Sequence, residues 1–256
     1  MTAASLRCDL LARMSAQHDV VFVHGWMVSG KVFSSLVEVL SGVRAIVPDL
    51  LIASPSATSP PGTSLDALVA EVLAAADSEG VDRFDLVGHS MGGQIAQLVA
   101  AAAPARVRSL ALLSPVPVGG LPLPPDVAAF FRSSGGSRDA QGRIVDKACL
   151  TVTPEAKSAL LDDAGKIAPA WIAHTLDLFT RGGDASQLAK ITCPTLVVAT
   201  DDPFLPPALL EEAVVSRVKN ARIEILRGPG HYPQIERRDE TAAILERFWA
   251  AQGAAT

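Results

Sequence analysis

Three kinds of side chain in this sequence could together carry acyl transfer: a serine at Ser90, adjacent carboxylates at Asp201 and Asp202, and a histidine at His231. Serine is a poor nucleophile at its own pKa. A neutral imidazole must take its proton, and a carboxylate must hold that imidazole in one tautomer and stabilise the charge it gains. The three stand far apart in the chain. Whether they meet depends on the elements that carry them.

Ser90 lies in Gly88-His89-Ser90-Met91-Gly92. The apolar run before it, Phe84-Asp85-Leu86-Val87, reads as a buried strand, and the stretch from Gly93 to Val99 reads as a helix that Pro104 stops. A serine between two glycines at such a joint is the nucleophile-elbow pattern. The sharp turn strains the backbone at the serine, and the small neighbours let strand and helix approach. The hydroxyl is then free above the sheet edge, beside N–H donors at the helix N-terminus. A glycine-bounded turn with a capping serine has the same five letters, so the flanking strand and helix carry the functional reading.

Asp201 and Asp202 follow the apolar run 195–199, and His231 follows the run 221–226. Further runs at 19–23, 43–47 and 107–113 alternate with helical patterns over 31–40, 65–77 and a closing segment 240–252. Continuous apolar strands alternating with helices predict an α/β fold, a mostly parallel sheet covered on both faces. Right-handed crossovers put all strand C-terminal ends on one edge, where ligands bind in such sheets. The alternation breaks after Leu113. Residues 114–125 are rich in Pro and Gly, and 126 to about 187 reads as helical, over 126–132, 154–161 and 169–179. This predicts a helical cap over 119–187, inserted into a core made of 1–118 and 188–256. Phe130, Phe131, Trp171, Leu176 and Phe179 are its candidate pocket walls. Residues 6–14 fit either a short strand or a helical turn.

With 256 residues, 49% of them hydrophobic, and a net charge of −5, the chain can bury a sizeable core. No long run of one charge argues for nucleic acid, and no apolar stretch reaches membrane-spanning length. The absence of an apolar leader near the N-terminus and the odd, scattered Cys8, Cys149 and Cys193 fit reduced thiols in the cytoplasm, with no metal-ligand spacing. No cofactor is expected.

The segments His24-Gly25-Trp26, Pro48-Asp49-Leu50, Gly88-His89-Ser90-Met91-Gly92-Gly93, Asp202-Pro203-Phe204-Leu205-Pro206 and Gly230-His231-Tyr232-Pro233 resemble the α/β-hydrolase superfamily over nearly the whole chain. Within it the chain resembles the small capped carboxylesterases, a branch that includes the pimeloyl-carrier-protein methyl esterases. The resemblance implies Ser90 as nucleophile, His231 as base and Asp202, which precedes Pro-x-x-Pro, as orienting acid, with Asp201 the alternative. It also implies an oxyanion hole from the backbone N–H groups of Trp26 and Met91, which frees both side chains to shape the pocket. His24 and His89 fall outside the triad and read as structural. His18 and His174 read as surface or packing residues, with a place facing substrate the alternative for His174, which lies within the cap.

The family usually carries a Gly-x-Gly loop after Pro-Asp-Leu, and residues 51–56 lack both glycines. The segment before Asp19 is shorter than the usual leading hairpin, so the sheet is expected to lack its first strand. The expected reaction is hydrolysis of a small-molecule carboxylic ester through an acyl-enzyme. The scarcity of aromatic residues, 5%, favours an aliphatic pocket and an apolar acyl group. Lactonases, thioesterases and carbon–carbon hydrolases share the triad and remain alternatives, as, more remotely, does a non-catalytic ligand-binding relative.

Overall fold

The apolar runs form one sheet. In a computed structural model, which describes residues 18–50 and 63–253, the strands are β1 (His18–Val23), β2 (Val43–Ile46), β3 (Phe84–His89), β4 (Val107–Leu113), β5 (Thr195–Ala199) and β6 (Ala221–Ile225). They pair in the order β2-β1-β3-β4-β5-β6, and every pairing is parallel. β3 and β5 are buried at every residue, whereas the edge strands β2 and β6 are only partly buried. This is why the central strands read as largely apolar runs. The expectations for residues 6–14, Cys8 and the loop 51–62 lie outside the described residues.

Strand order reverses between β1 and β3, which makes the crevice at their C-terminal ends the topological switch point of the sheet. The segment after β1 is His24-Gly25-Trp26, and the segment after β3 is Ser90.

The helices covering the sheet are α1 (Ser34–Val39), α2 (Leu65–Ser78), α3 (Met91–Ala102), α8 (Pro207–Ala213), the short α9 (Pro233–Glu236) and α10 (Arg238–Gly253). The helix expected over 31–40 divides into a 3-10 turn, Gly30–Phe33, and α1. The turn is held tight against the end of β2: the Gly30 N–H donates to Asp49 Oδ1 at 2.7 Å, and a Cβ on Gly30 would come within 2.6 Å of Val47.

Between β4 and β5 the chain forms four helices, α4 (Pro125–Arg132), α5 (Arg138–Ala148), α6 (Pro154–Ala164) and α7 (Pro169–Arg181). Helical spacing in the sequence marks three of them but not α5, which carries Gly142 in its middle and few apolar residues. Ser137, read as part of a break, caps α5 by accepting from the Ala140 N–H.

The chain enters and leaves this insertion at one point. Gly120 and Gly182 have φ of 93° and 70°, and a Cβ on Gly182 would lie 2.3 Å from the Gly120 nitrogen. No larger residue fits that crossing. Gln94 on α3 reaches both sides of it, donating to the carbonyls of Pro117 at 2.9 Å and Phe179 at 3.2 Å. At the other end, Asp163 on α6 is buried and accepts from the N–H and hydroxyl of Ser29 at 2.6 and 2.8 Å.

Candidate active site

Ser90 occupies the turn between β3 and α3 with φ 56° and ψ −123°. A left-handed backbone at a residue with a Cβ costs about 1–3 kcal/mol and persists only where the surroundings hold it. Here they do. The Ser90 N–H donates to Leu113 O at 3.1 Å, and its carbonyl accepts from Gly93, Gln94 and Val116. The two glycines of the pattern answer close approach. A Cβ on Gly88 would lie 2.6 Å from Gly92 O, and one on Gly92 would lie 2.1 Å from Val23 O. β1, β3 and α3 meet at backbone distance, and the first N–H of α3, that of Met91, has no partner within the helix.

The loop after β1 lies directly on the nucleophile: a Cβ on Gly25 would come within 3.0 Å of Ser90 Cβ. Trp26 is buried there, and its indole N–H donates to Ile172 O on α7 at 2.8 Å.

His231 and Asp202 meet, with Nδ1 donating to Oδ2 at 2.6 Å. The Asp202 side chain is wholly buried, and its other oxygen accepts from the Phe204 N–H at 2.8 Å. A neutral ring that donates from Nδ1 presents Nε2 as its lone-pair nitrogen, the tautomer a base requires. Asp201 turns the other way, toward Arg227 at 2.6 Å and the Gly228 N–H at 2.8 Å, and these partners, Gly228 first, hold its carboxyl below the ordinary value. Ser90 and His231 line one narrow cavity of about 50 Å³, together with Trp26, Met27, Phe131 and Phe179.

Two of the five expected pocket residues, Phe131 and Phe179, are walls of this cavity. Phe131 stacks on Trp26 at 5.5 Å and meets Phe204 edge-on at 5.8 Å, while Phe179 contacts Trp26 at 5.9 Å. The other three pack elsewhere. The Phe130 ring lies under the Arg143 guanidinium, Trp171 is buried against His174, and Leu176 is buried. Leu121, Leu123, Ile144 and Phe204 are walls that the sequence reading missed. Phe204 could have been found, since it follows β5 at the active edge. Ile144 belongs to α5, which no helical spacing marks.

Of the other histidines, His24, His89 and His174 bond backbone, and His18 faces a carboxylate. His174 bonds Thr63 O at 3.1 Å and His18 contacts Asp85 at 3.3 Å. His24 Nδ1 donates to Gly25 O at 2.9 Å while Nε2 accepts from the Leu50 N–H at 3.1 Å, which fixes a neutral ring. His89 Nε2 donates to the carbonyl of His231 at 2.8 Å, and its Nδ1 is buried without a partner among the described residues. Burial holds both rings below the ordinary imidazole value, His89 well below. Unfolding returns each ring to about 6.5. Below that pH the unfolded chain binds protons that the folded chain refuses, so this contribution is complete above pH 6.5 and is lost as the pH falls. Each ring adds a slope of up to about 1.4 kcal/mol per pH unit. The unfolding temperature is therefore expected to drop between pH 7 and 5.5, and His89→Gln to flatten the drop. Equal slopes in calorimetry would contradict this account.

Cys149 and Cys193 are buried thiols, and burial pushes both up, Cys193 to about 11. No helix among the described residues is long and apolar enough to cross a membrane.

Residues 20–244 match the alpha/beta hydrolase family. The pimeloyl-[acyl-carrier protein] methyl ester esterase of Xanthomonas campestris pv. campestris is 30% identical over 246 residues, which cover 91% of this chain and 95% of that protein. Polyketide synthase ThaQ of Burkholderia thailandensis is 30% identical over 83% of this chain, which spans only 11% of ThaQ. Among solved structures, a bromoperoxidase from Bacillus anthracis superposes with a TM-score of 0.82 at 20% identity, covering 91% of this chain and 92% of that one. The last likeness is one of fold.

Proposed function

Starting from a chain that belongs to the alpha/beta hydrolase family, we propose that it is a serine hydrolase cleaving carboxylic esters through an acyl-enzyme. One observation carries the reading. His231 is bonded through Nδ1 to the buried Asp202 and shares a cavity with Ser90 on its strained elbow.

Ser90 Oγ attacks the ester carbonyl as His231 Nε2 takes its proton. Asp202 stabilises the imidazolium, which then gives the proton to the leaving alcohol. Water repeats the sequence and releases the acid. The N–H groups of Trp26 and Met91 receive the oxyanion, and losing one such donor typically costs about 3–4 kcal/mol in the transition state. Residues 119–187 form the cap, and 1–118 with 188–256 form the core.

Apolar walls and small volume favour an uncharged acyl group of a few carbons. The ester bond agrees with the activity named for the Xanthomonas relative. Phe131 limits the length. It is carried on α4, which buries no residue of its own.

Hydrolysis of p-nitrophenyl esters from acetate to laurate tests both points. Turnover is expected to peak at short chains. Phe131→Ala is expected to raise kcat/KM for octanoate roughly tenfold, the scale of one or two methylenes in an apolar pocket. An unchanged chain-length profile would remove Phe131 from the role. No turnover, with Ser90 still labelled by a fluorophosphonate, would move the reaction to lactones, thioesters or carbon–carbon bonds. No label at Ser90 would end the serine-hydrolase reading.

A further inference from the structure

Glu236 is the last residue of α9, in the polar string Glu236-Arg237-Arg238-Asp239-Glu240. A string of that kind reads as a solvated helix start. Its carboxylate is instead buried, and its two oxygens serve two different segments. Oε1 accepts from the N–H groups of Gly230 at 3.0 Å and Tyr232 at 3.2 Å, the residues on either side of His231. Oε2 accepts from the N–H groups of Leu150 and Thr151, both at 2.7 Å, and from the Thr151 hydroxyl at 3.3 Å. Those residues join α5 to α6 in the helical insertion.

We propose that Glu236 is a positioning residue that fixes the loop of the base His231 against the helical insertion, so that the placement of the base and the seating of the insertion depend on one carboxylate. The inference rests on His231 being the base of the proposed function.

Other bonds hold the same loop, but none of them ties its two flanking N–H groups to the α5–α6 joint through one side chain. The His231 N–H donates to Ala148 O at 2.8 Å, another bond to the end of α5. The Gly230 carbonyl accepts from Thr200 Oγ1 at 2.7 Å, and the His231 carbonyl accepts from His89. A Cβ on Gly230 would fall 2.1 Å from Ala148 O, so loop and insertion touch at backbone distance. Only an ionised carboxylate offers acceptors on both oxygens, and buried donors left without an acceptor are costly. An amide of the same shape offers one oxygen and one NH2. Glu236→Gln must therefore release either the His231 loop or the insertion, because its NH2 would face N–H groups on one side.

The test is kcat and KM of Glu236→Gln on a p-nitrophenyl ester, with active sites counted by fluorophosphonate labelling of Ser90. A displacement of about 1 Å at a reacting group can cost a hundredfold. The kcat per labelled site is expected to fall ten- to a hundredfold with KM within about threefold. A purely structural role would lower the unfolding temperature or the number of labelled sites and leave kcat per site unchanged, and that result overturns the proposal. If Glu236→Gln does not fold, Glu236→Asp keeps the charge, shortens the reach, and carries the same expectation. Wild-type protein that neither labels at Ser90 nor turns over esters overturns the serine-hydrolase reading itself. Wild-type protein that labels, beside a variant with full kcat per site, overturns only the role of Glu236.

Discussion

Ser90→Ala is expected to lower kcat by about five to six orders of magnitude and leave KM nearly unchanged. Removing the nucleophile of a triad disables the unit as a whole, because base and acid have nothing left to activate. The rate that survives comes from the oxyanion donors and from substrate binding, which do not involve Oγ. The fold should tolerate the change, since the Ser90 side chain makes no capping bond to α3. Alanine retains the Cβ and therefore the cost of φ 56°. Ser90→Gly relieves that cost, so it is expected to be equally inactive and more stable than Ser90→Ala by about 1 kcal/mol. Ester turnover and calorimetry on the two variants read both effects. Turnover by Ser90→Ala above about one per cent of wild type would refute the nucleophile, and equal stability would refute the strain.

The elbow was legible because its letters report backbone demands: two glycines where strands and helix touch, and a small polar residue where the chain turns. The strands were legible for a related reason. β5 is covered on both faces and four of its five residues are apolar, while β3, equally buried, carries Phe84, Leu86 and Val87 around a buried Asp85. Helical spacing carries less. It marks which face of α7 is buried without saying what buries it, and so Trp171 and Leu176, which are buried away from the cavity, look the same as Phe179, which reaches it. Glu236 was hidden for the opposite reason. Its partners are backbone N–H groups, which every sequence has, so nothing in the letters marks a carboxylate that will be buried among them. The adjacent Asp201 and Asp202 could be ranked only through the resemblance, because alternation sends neighbours to opposite sides without naming the side. Arg227 and Gly228 on one side and His231 on the other decide it in space.

That separation makes the aspartate pair a sharp test. Asp202→Asn is expected to lower kcat by about four orders of magnitude, and Asp201→Asn by no more than about threefold. In the native site Asp202 Oδ1 accepts from the Phe204 N–H and Oδ2 accepts from His231 Nδ1. An asparagine has one oxygen. If that oxygen stays with Phe204, the amide NH2 faces His231 and must donate to Nδ1. The ring proton then moves to Nε2, and in the proposed mechanism a protonated Nε2 cannot take the Ser90 proton. The loss is one of tautomer, so the cavity and KM should change little. Asp201 bonds Arg227, which is exposed, and the Gly228 N–H, a backbone donor close to solvent. Its replacement removes a surface ion pair, an interaction of small worth, and leaves His231 facing Asp202. Measured kcat per labelled site separates the two. Equal losses would mean that the carboxylates act through the shared loop and not through the imidazole. A large loss at Asp201 alone would reverse their roles.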